Sequence, residues 1–189
     1  MIDKKMLLNA FNTNKTKLKF GKEIGAGVDG SVYLSDNKVI KLSPNLDSEQ
    51  TESIINTVDY LYHNPLHTYT HVYDYGYEKN SNFLQEDRYC VYYTMPILNH
   101  LSQDEAKVFH TILSHEDNNV VKNYSQAQIY KILQGLSKGL DFDESKVMLF
   151  VEALKAAPII HLDIHPRNIM KDDLNNFKMI DLNRVKFKH

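Results

Sequence analysis

The chain has no tryptophan, a single cysteine and no long apolar run. Each absence excludes something. Cys90 by itself cannot close an internal disulfide, and one thiol fits a reducing compartment. A membrane-spanning helix needs roughly 20 consecutive apolar residues, and no stretch approaches that. The start, Met1-Ile2-Asp3-Lys4-Lys5-Met6-Leu7-Leu8, has too short an apolar run for a secretory leader. The net charge is only -2, so no global basic field points to nucleic acid. The expectation is a soluble cytoplasmic protein that binds neither nucleic acid nor membrane. The composition, rich in Asn, Lys, Ile and Tyr, hints at an AT-rich genome; were it a phage's, the compartment would be the host cytoplasm. With 189 residues, the chain suits one domain or two small lobes around a cleft. It is long enough to bury roughly 70% of its unfolded surface.

The pattern that is present changes character midway. Asp3 to Phe11 has weak helical spacing. Leu18, Phe20 and Ile24 fit a strand. Ser31 to Leu34 and Lys38 to Leu42 read as two short strands joined by a tight turn at Asp36-Asn37. Pro44-Asn45 then reads as the opening of a polar loop. Asp47 to His63 has Ile54, Val58 and Leu61 on one helical face, with Asp47 or Ser48 as cap. His71 to Tyr77 and Arg88 to Met95 have strand composition, with a loop at Asn80-Ser81-Asn82. Nine of the twelve tyrosines lie between Tyr60 and Tyr93, where they pack and edge a sheet. After Pro96 the chain turns helical. Ser102 to Ser114 is one helix; a second follows the capping-box pair Ser125 and Gln128 and stops by Gly139. Asp143 to Ala157 is the clearest, with Val147, Phe150, Val151 and Leu154 on one side and Pro158 beyond it. Lys178-Met179-Ile180 is a last short strand.

Four features carry chemistry. Gly25-Ala26-Gly27-Val28-Asp29-Gly30-Ser31-Val32 matches G-x-G-x-x-G-x-V. Without a Cβ, glycine lets backbone N–H groups approach phosphates. A dinucleotide fingerprint would continue into a helix; here the chain continues as a strand, which suits a flap over ATP. A glycine-rich hairpin without a ligand explains that segment equally well when it is taken alone. Lys41 ends Val39-Ile40-Lys41 on the strand after the flap, and strand alternation puts Val39 and Lys41 on one face. A carboxylate partner for it on the 47–63 helix would be Glu52, with Glu49 close behind and Asp59 third. A solvated acidic first turn, favourable to the helix dipole, is the plainer account of those glutamates.

His161-Leu162-Asp163-Ile164-His165-Pro166-Arg167-Asn168 is the most specific feature, matching H-x-D-x-x-x-x-N. Asp181 lies thirteen residues past Asn168 at the end of an apolar strand. Asp163 would take or orient a hydroxyl proton, and Asn168 and Asp181 supply the hard oxygen ligands that Mg²⁺ prefers. His161 and His165, four apart, have zinc-ligand spacing, but Leu162 stands where the glutamate of H-E-x-x-H belongs and Pro166 argues against a helix. A polar turn between a helix and a hairpin accounts for each residue singly, though not for the ordered set.

In that order, Gly25, Gly27, Gly30, Val32, Lys41, His161, Asp163, Asn168 and Asp181 resemble the protein-kinase-like superfamily over about residues 20–185. The spelling Asp163-Ile164-His165-Pro166-Arg167-Asn168 is similar to D-L-H-P-G-N of aminoglycoside and choline kinases. The resemblance implies an α+β, two-lobed kinase-like fold in a single minimal domain. An antiparallel-sheet lobe would cover about 1–96, a hinge about 96–99 and a truncated helical lobe about 100–189. It implies ATP and Mg²⁺ as cofactors, Lys41, Asp163 and Asn168 as catalytic residues, and Asn168 and Asp181 as metal ligands. Gly25, Gly27, Gly30, Val32, Val39, Lys41, Glu52, Met95, Leu98 and Met170 would line the nucleotide site, and Leu182 would replace the Phe of D-F-G.

The departures bear on the acceptor. Leu162 replaces the usual Arg, His165 replaces the lysine of Ser/Thr kinases, and eight residues follow Asp181. Within those eight residues no activation segment or later helices are expected. The expected activity is γ-phosphate transfer to a hydroxyl acceptor, on a protein or on a small molecule as in aminoglycoside and choline kinases, with a partner protein completing the substrate lobe. The competing expectations are a nucleotide-binding pseudokinase that acts as a regulatory or inhibitory module, and a structural partner that has lost nucleotide altogether.

Overall fold

The computed structural model describes residues 19–27, 29–80, 87–113 and 124–188. The N-terminal stretch, Leu18, Val28, Ser81-Asn82 and Ser114 of the expectations above lie outside them. By its contacts the chain divides into two units. One runs up to Asn64 and resumes at His71–Ile97; the other takes Pro65–Thr70 and everything from Leu98 onward.

In the first unit, β-branched and aromatic runs form one antiparallel sheet. Its strands are β1 (Glu23–Gly27), β2 (Gly30–Ser35), β3 (Lys38–Leu46), β4 (Asp74–Asn80) and β5 (Arg88–Pro96). Their spatial order is β1-β2-β3-β5-β4. The register sorts side chains onto two faces. Tyr33, Ile40, Leu42, Cys90 and Tyr92 form one buried cluster, closed by Phe20, whose ring meets that of Tyr33 edge-on at 5.2 Å. The opposite face carries a cross-strand row: Val32 pairs with Lys41, Lys41 with Tyr93, and Tyr93 with Tyr75.

Helix α1 (Ser48–His63) lies over that second face. The Tyr75 hydroxyl donates to Asp59, and the Tyr62 and Tyr75 rings meet at 5.7 Å. Asp47 caps α1: its carboxylate accepts from the Gln50 N–H, and Gln50 returns a bond to the Asp47 N–H. Ile54, Val58 and Leu61 form its buried face, as the spacing predicts, and Thr51 and Thr57 join them.

Three boundaries differ from the sequence expectation. Strand β1 begins only at Glu23, so Phe20 lies ahead of it and packs on the sheet from outside the ladder. Strand β3 does not stop at Pro44 but runs to Leu46. The register shifts between Ser43 and Leu46, and Asn45 adopts a positive φ of 62°; this irregularity lifts Pro44, which has no N–H, off the ladder. Strand β4 begins at Asp74, not His71. Residues 65–70 belong to the second unit, where the Thr70 N–H donates to the Met179 carbonyl at 2.9 Å.

The second unit contains α2 (Gln103–Leu113), α3 (Gln126–Leu136) and α4 (Glu144–Ala156). Ser125 and Gln128 make the expected capping box at the start of α3, and Asp143 caps α4. Helix α3 ends at Leu136, ahead of the turn that contains Gly139. Phe109 of α2, Phe150 of α4 and Phe177 form a ring triad with centroids 4.8–5.9 Å apart. The same unit holds four short strands, β6 (Ile159–His161), β7 (Ile169–Lys171), β8 (Phe177–Met179) and β9 (Val185–Phe187). Strand β7 pairs with β8, and β6 with β9. Strand β9 has no counterpart in the sequence expectation, since three residues carry no usable periodicity.

Candidate active site

The glycine loop is an extended hairpin, in which Gly25 pairs with Val32 and Gly27 with Gly30. Its glycines are not equivalent. Gly30 has φ of 127°, and a Cβ there would stand 2.0 Å from the Leu42 carbonyl oxygen; the fold itself demands glycine. A Cβ at Gly27 would meet nothing within 4 Å, and one at Gly25 only the Val32 Cβ at 3.9 Å. Nothing among the described residues requires glycine at those two positions. The open space above them is what a backbone phosphate cradle needs.

Behind the loop, Val39 and Met95 are buried cross-strand partners, and Val32 is half-buried. Lys41 is buried to 9% exposure, on the sheet face that α1 covers. Glu49 and Glu52 stand exposed in the first turns of α1. Asp59 is engaged elsewhere: it accepts from Tyr75 and lies 3.5 Å from His63.

In the second unit the loop after β6 is tied by hydrogen bonds to the segment after β8. His161 is 1% exposed. Its Nε2–H donates to the carbonyls of Ile180 at 3.0 Å and Asp181 at 2.9 Å. Its Nδ1 accepts from the Asp163 N–H at 3.1 Å. Burial holds its pKa below the usual histidine value, so the ring is neutral with the proton on Nε2. Both ring nitrogens are engaged with backbone groups, which disfavours zinc ligation. Among the described residues no cluster of three His, Cys, Asp or Glu could hold a metal ion.

Asn168 is buried at the end of a 3-10 turn (Pro166–Asn168). Its Nδ2 donates to the Asp163 carbonyl at 3.0 Å, and its own carbonyl accepts from the Ile180 N–H at 2.9 Å. With Nδ2 so used, Oδ1 is the atom left for a cation. Asp181 adopts a left-handed backbone, φ 57°, which is uncommon outside glycine. The bond from His161 to its carbonyl holds it there. The buried Leu182 follows. His165 Nε2 stands 3.6 Å from Asp163 Oδ2.

Thus Asp163, Asn168 and Asp181 share one polar frame in the second unit, together with half-buried Met170 on β7 and half-buried Leu98. Gly25, Gly27, Gly30, Val32, Val39, Lys41, Glu52 and Met95 belong to the first unit. Sequence reasoning missed Tyr69. It is buried beneath the loop, hydrogen-bonded to the His161 backbone, and its hydroxyl pKa is raised by burial. It also missed a groove between α2 and the 165–167 loop, lined by Lys107, His110, His165 and Arg167. The i, i+3 spacing of Lys107 and His110 was the available signal.

No protein-family model and no curated protein sequence matches the chain. Among solved structures it is similar to WbdD. One structure, a co-crystal of WbdD with a kinase inhibitor, is 14% identical with a TM-score of 0.50; it covers 93% of this chain and 34% of WbdD. A second WbdD structure gives 13% identity, a TM-score of 0.51 and coverage of 93% and 35%. The chain therefore spans about a third of the length of these proteins. The likeness shows the fold: a kinase-like α+β arrangement with an antiparallel five-stranded sheet.

Proposed function

We propose that the chain binds ATP with Mg²⁺ and transfers the γ-phosphoryl group to a hydroxyl acceptor. The observation that carries this reading is the hydrogen-bonded frame of Asp163, Asn168 and Asp181 around buried His161. A carboxylate and two metal-capable side chains, with Asn168 bonded to the Asp163 carbonyl and His161 joining Asp163 to Asp181, are what in-line phosphoryl transfer asks of a protein. The open cradle at Gly25 and Gly27 fits the nucleotide's phosphates, and the Asn and Asp oxygens fit Mg²⁺.

When bound, ATP supplies the phosphoryl group and Mg²⁺ neutralises the phosphate oxygens. The residues then divide the work. The backbone of Gly25 to Gly30 cradles phosphates, Lys41 balances their charge, and Glu52 or Glu49 orients Lys41. Val32, Val39, Met95, Leu98 and Met170 offer apolar surface to the base. Asn168 and Asp181 ligate the metal. Asp163 takes the proton of the acceptor hydroxyl. His161 positions this set without touching substrate.

The test is transfer of label from ATP, with Mg²⁺, to proteins of a cell lysate. Asp163→Ala and Asp181→Ala should each abolish it. Robust transfer by both variants would refute the assignment. Thermal stabilisation by ATP with no acceptor ever labelled would favour a nucleotide-binding module without chemistry.

A further inference from the structure

The groove beside Asp163 has a charge character that bears on the acceptor. Its volume is about 710 Å³, and its walls include Gln103, Lys107, His110 and Thr111 of α2 together with His165 and Arg167 of the loop. Among the described residues no carboxylate lines it. Lys107 is held by Asp104 at 3.1 Å from outside the groove, so its charge is partly balanced. Arg167 is exposed and has no side-chain partner among the described residues. His165 joins the groove to the reaction centre, since it lines the wall and stands 3.6 Å from Asp163. The two walls are fastened: Lys171 of β7 pairs with Glu105 of α2 at 2.8 Å.

We propose that this groove seats the acceptor, and that the acceptor is an acidic peptide segment carrying the hydroxyl. The proposal rests on the phosphotransfer reading above. Its ground is the distribution of charge. Gln103 to Thr111 spans ~12 Å of helix, about four residues of extended chain. A small phosphorylated molecule is gripped by donors converging on one point. Here the cationic and polar groups are strung along a helix face and answered by Arg167 on the loop. That arrangement suits carboxylates spaced along a peptide.

The peptide's serine or threonine oxygen bonds to the γ-phosphorus, and its proton passes to Asp163. The bond from that phosphorus to the β-bridging oxygen breaks, and its electron pair leaves with ADP.

The experiment uses the full chain with Mg²⁺ and labelled ATP, and three serine peptides of equal length. Their flanks are Asp/Glu, neutral or Lys/Arg. Peptide binding is measured in parallel by fluorescence anisotropy on Asp163→Asn, so that binding is read without chemistry. The acidic peptide should be bound and phosphorylated at least about fivefold better than the neutral one, and the margin should shrink in high salt. In a Lys107→Glu/Arg167→Glu variant the preference should reverse toward Lys/Arg flanks, a gain that misfolding cannot produce. Equal or basic preference in the wild type would overturn the proposal. So would an acidic preference that survives charge reversal, or displacement of the acidic peptide by an equal concentration of pyrophosphate. Selective acidic binding with no label transferred would instead sink the phosphotransfer reading and leave the acidic-peptide groove standing.

Discussion

His161 donates from Nε2 to the carbonyl of Asp181 at 2.9 Å, and this bond couples the loop bearing Asp163 to the segment bearing Asp181. The same nitrogen reaches the Ile180 carbonyl, and Nδ1 takes the Asp163 N–H. A single buried ring thus satisfies three backbone groups. It also helps hold Asp181 in a left-handed conformation that costs of order 1 kcal/mol.

His161→Phe should therefore destabilise the protein by about 1–3 kcal/mol in chemical denaturation, because three part-buried backbone groups lose their partner at once. His161→Gln keeps a donor and should cost less. The pH dependence follows from the lowered pKa. The unfolded histidine titrates near 6.5 and the folded one below that, so at acid pH the unfolded state binds more protons. The contribution of His161 to stability is complete above about pH 6.5 and is lost as pH falls through the folded pKa. Between pH 7.5 and 5.5 wild-type stability should fall more than that of His161→Gln. Parallel slopes would refute the assignment.

The glycine loop separates fold from ligand. Gly30→Ala drives a Cβ into the Leu42 carbonyl at a positive φ and should cost about 3 kcal/mol or more. Gly27→Ala meets no neighbour among the described residues and should change stability by less than about 1 kcal/mol. If the loop cradles phosphates, Gly27→Ala should nevertheless weaken ATP binding by calorimetry. Unchanged affinity would remove Gly27 from the nucleotide site.

Lys171 and Glu105 are 15% and 12% exposed and 2.8 Å apart. Glu105 does a second job: its carboxylate accepts from the Ser102 N–H at 2.6 Å, while the Glu105 N–H bonds the Ser102 hydroxyl. Glu105→Ala removes the ion pair and half the capping box, and leaves Lys171 uncompensated. It should cost about 2–4 kcal/mol. Lys171→Met removes only the pair and should cost less by thermal denaturation. The reverse order would mean that the cap contributes little.

Lys41 offers a test of nucleotide binding separate from transfer. At ATP concentrations about 100 times Kd, the wild type should gain about 2.7 kcal/mol of stability. Lys41→Met should lose most of that gain, whereas Asp163→Asn should keep it and lose only transfer. Equal stabilisation of Lys41→Met would exclude Lys41 from phosphate binding.

Cys90 is buried at 1% exposure on the closed face of the sheet, and burial raises its thiol pKa. As the lone cysteine it should resist a thiol reagent in the folded protein and react at the rate of unfolding. Rapid labelling of native protein would contradict the packing of Phe20, Tyr33 and Tyr92 around it.

Much of this was readable from local chemistry. Period-two alternation puts Val39 and Lys41 on one face without knowledge of any neighbour. The Ser125–Gln128 box and the Ile54, Val58 and Leu61 stripe declare their helices within a few residues. The ordered polar set from Gly25 to Asp181 names its candidate chemistry because phosphate and Mg²⁺ accept few residue types. Tertiary structure decided what local pattern cannot encode. Strand β9 exists only because β6 lies beside it. Residues 65–70 join the second unit because the Met179 carbonyl and Tyr69 draw them there. His161 became a stitch between two segments because the Ile180 and Asp181 carbonyls lie within its reach. The cationic groove arises because α2 sets Lys107 and His110 opposite Arg167, more than fifty residues away in sequence. Patterns within one turn or strand follow from covalent spacing, whereas pairings across such separations depend on which surfaces the folded chain brings together.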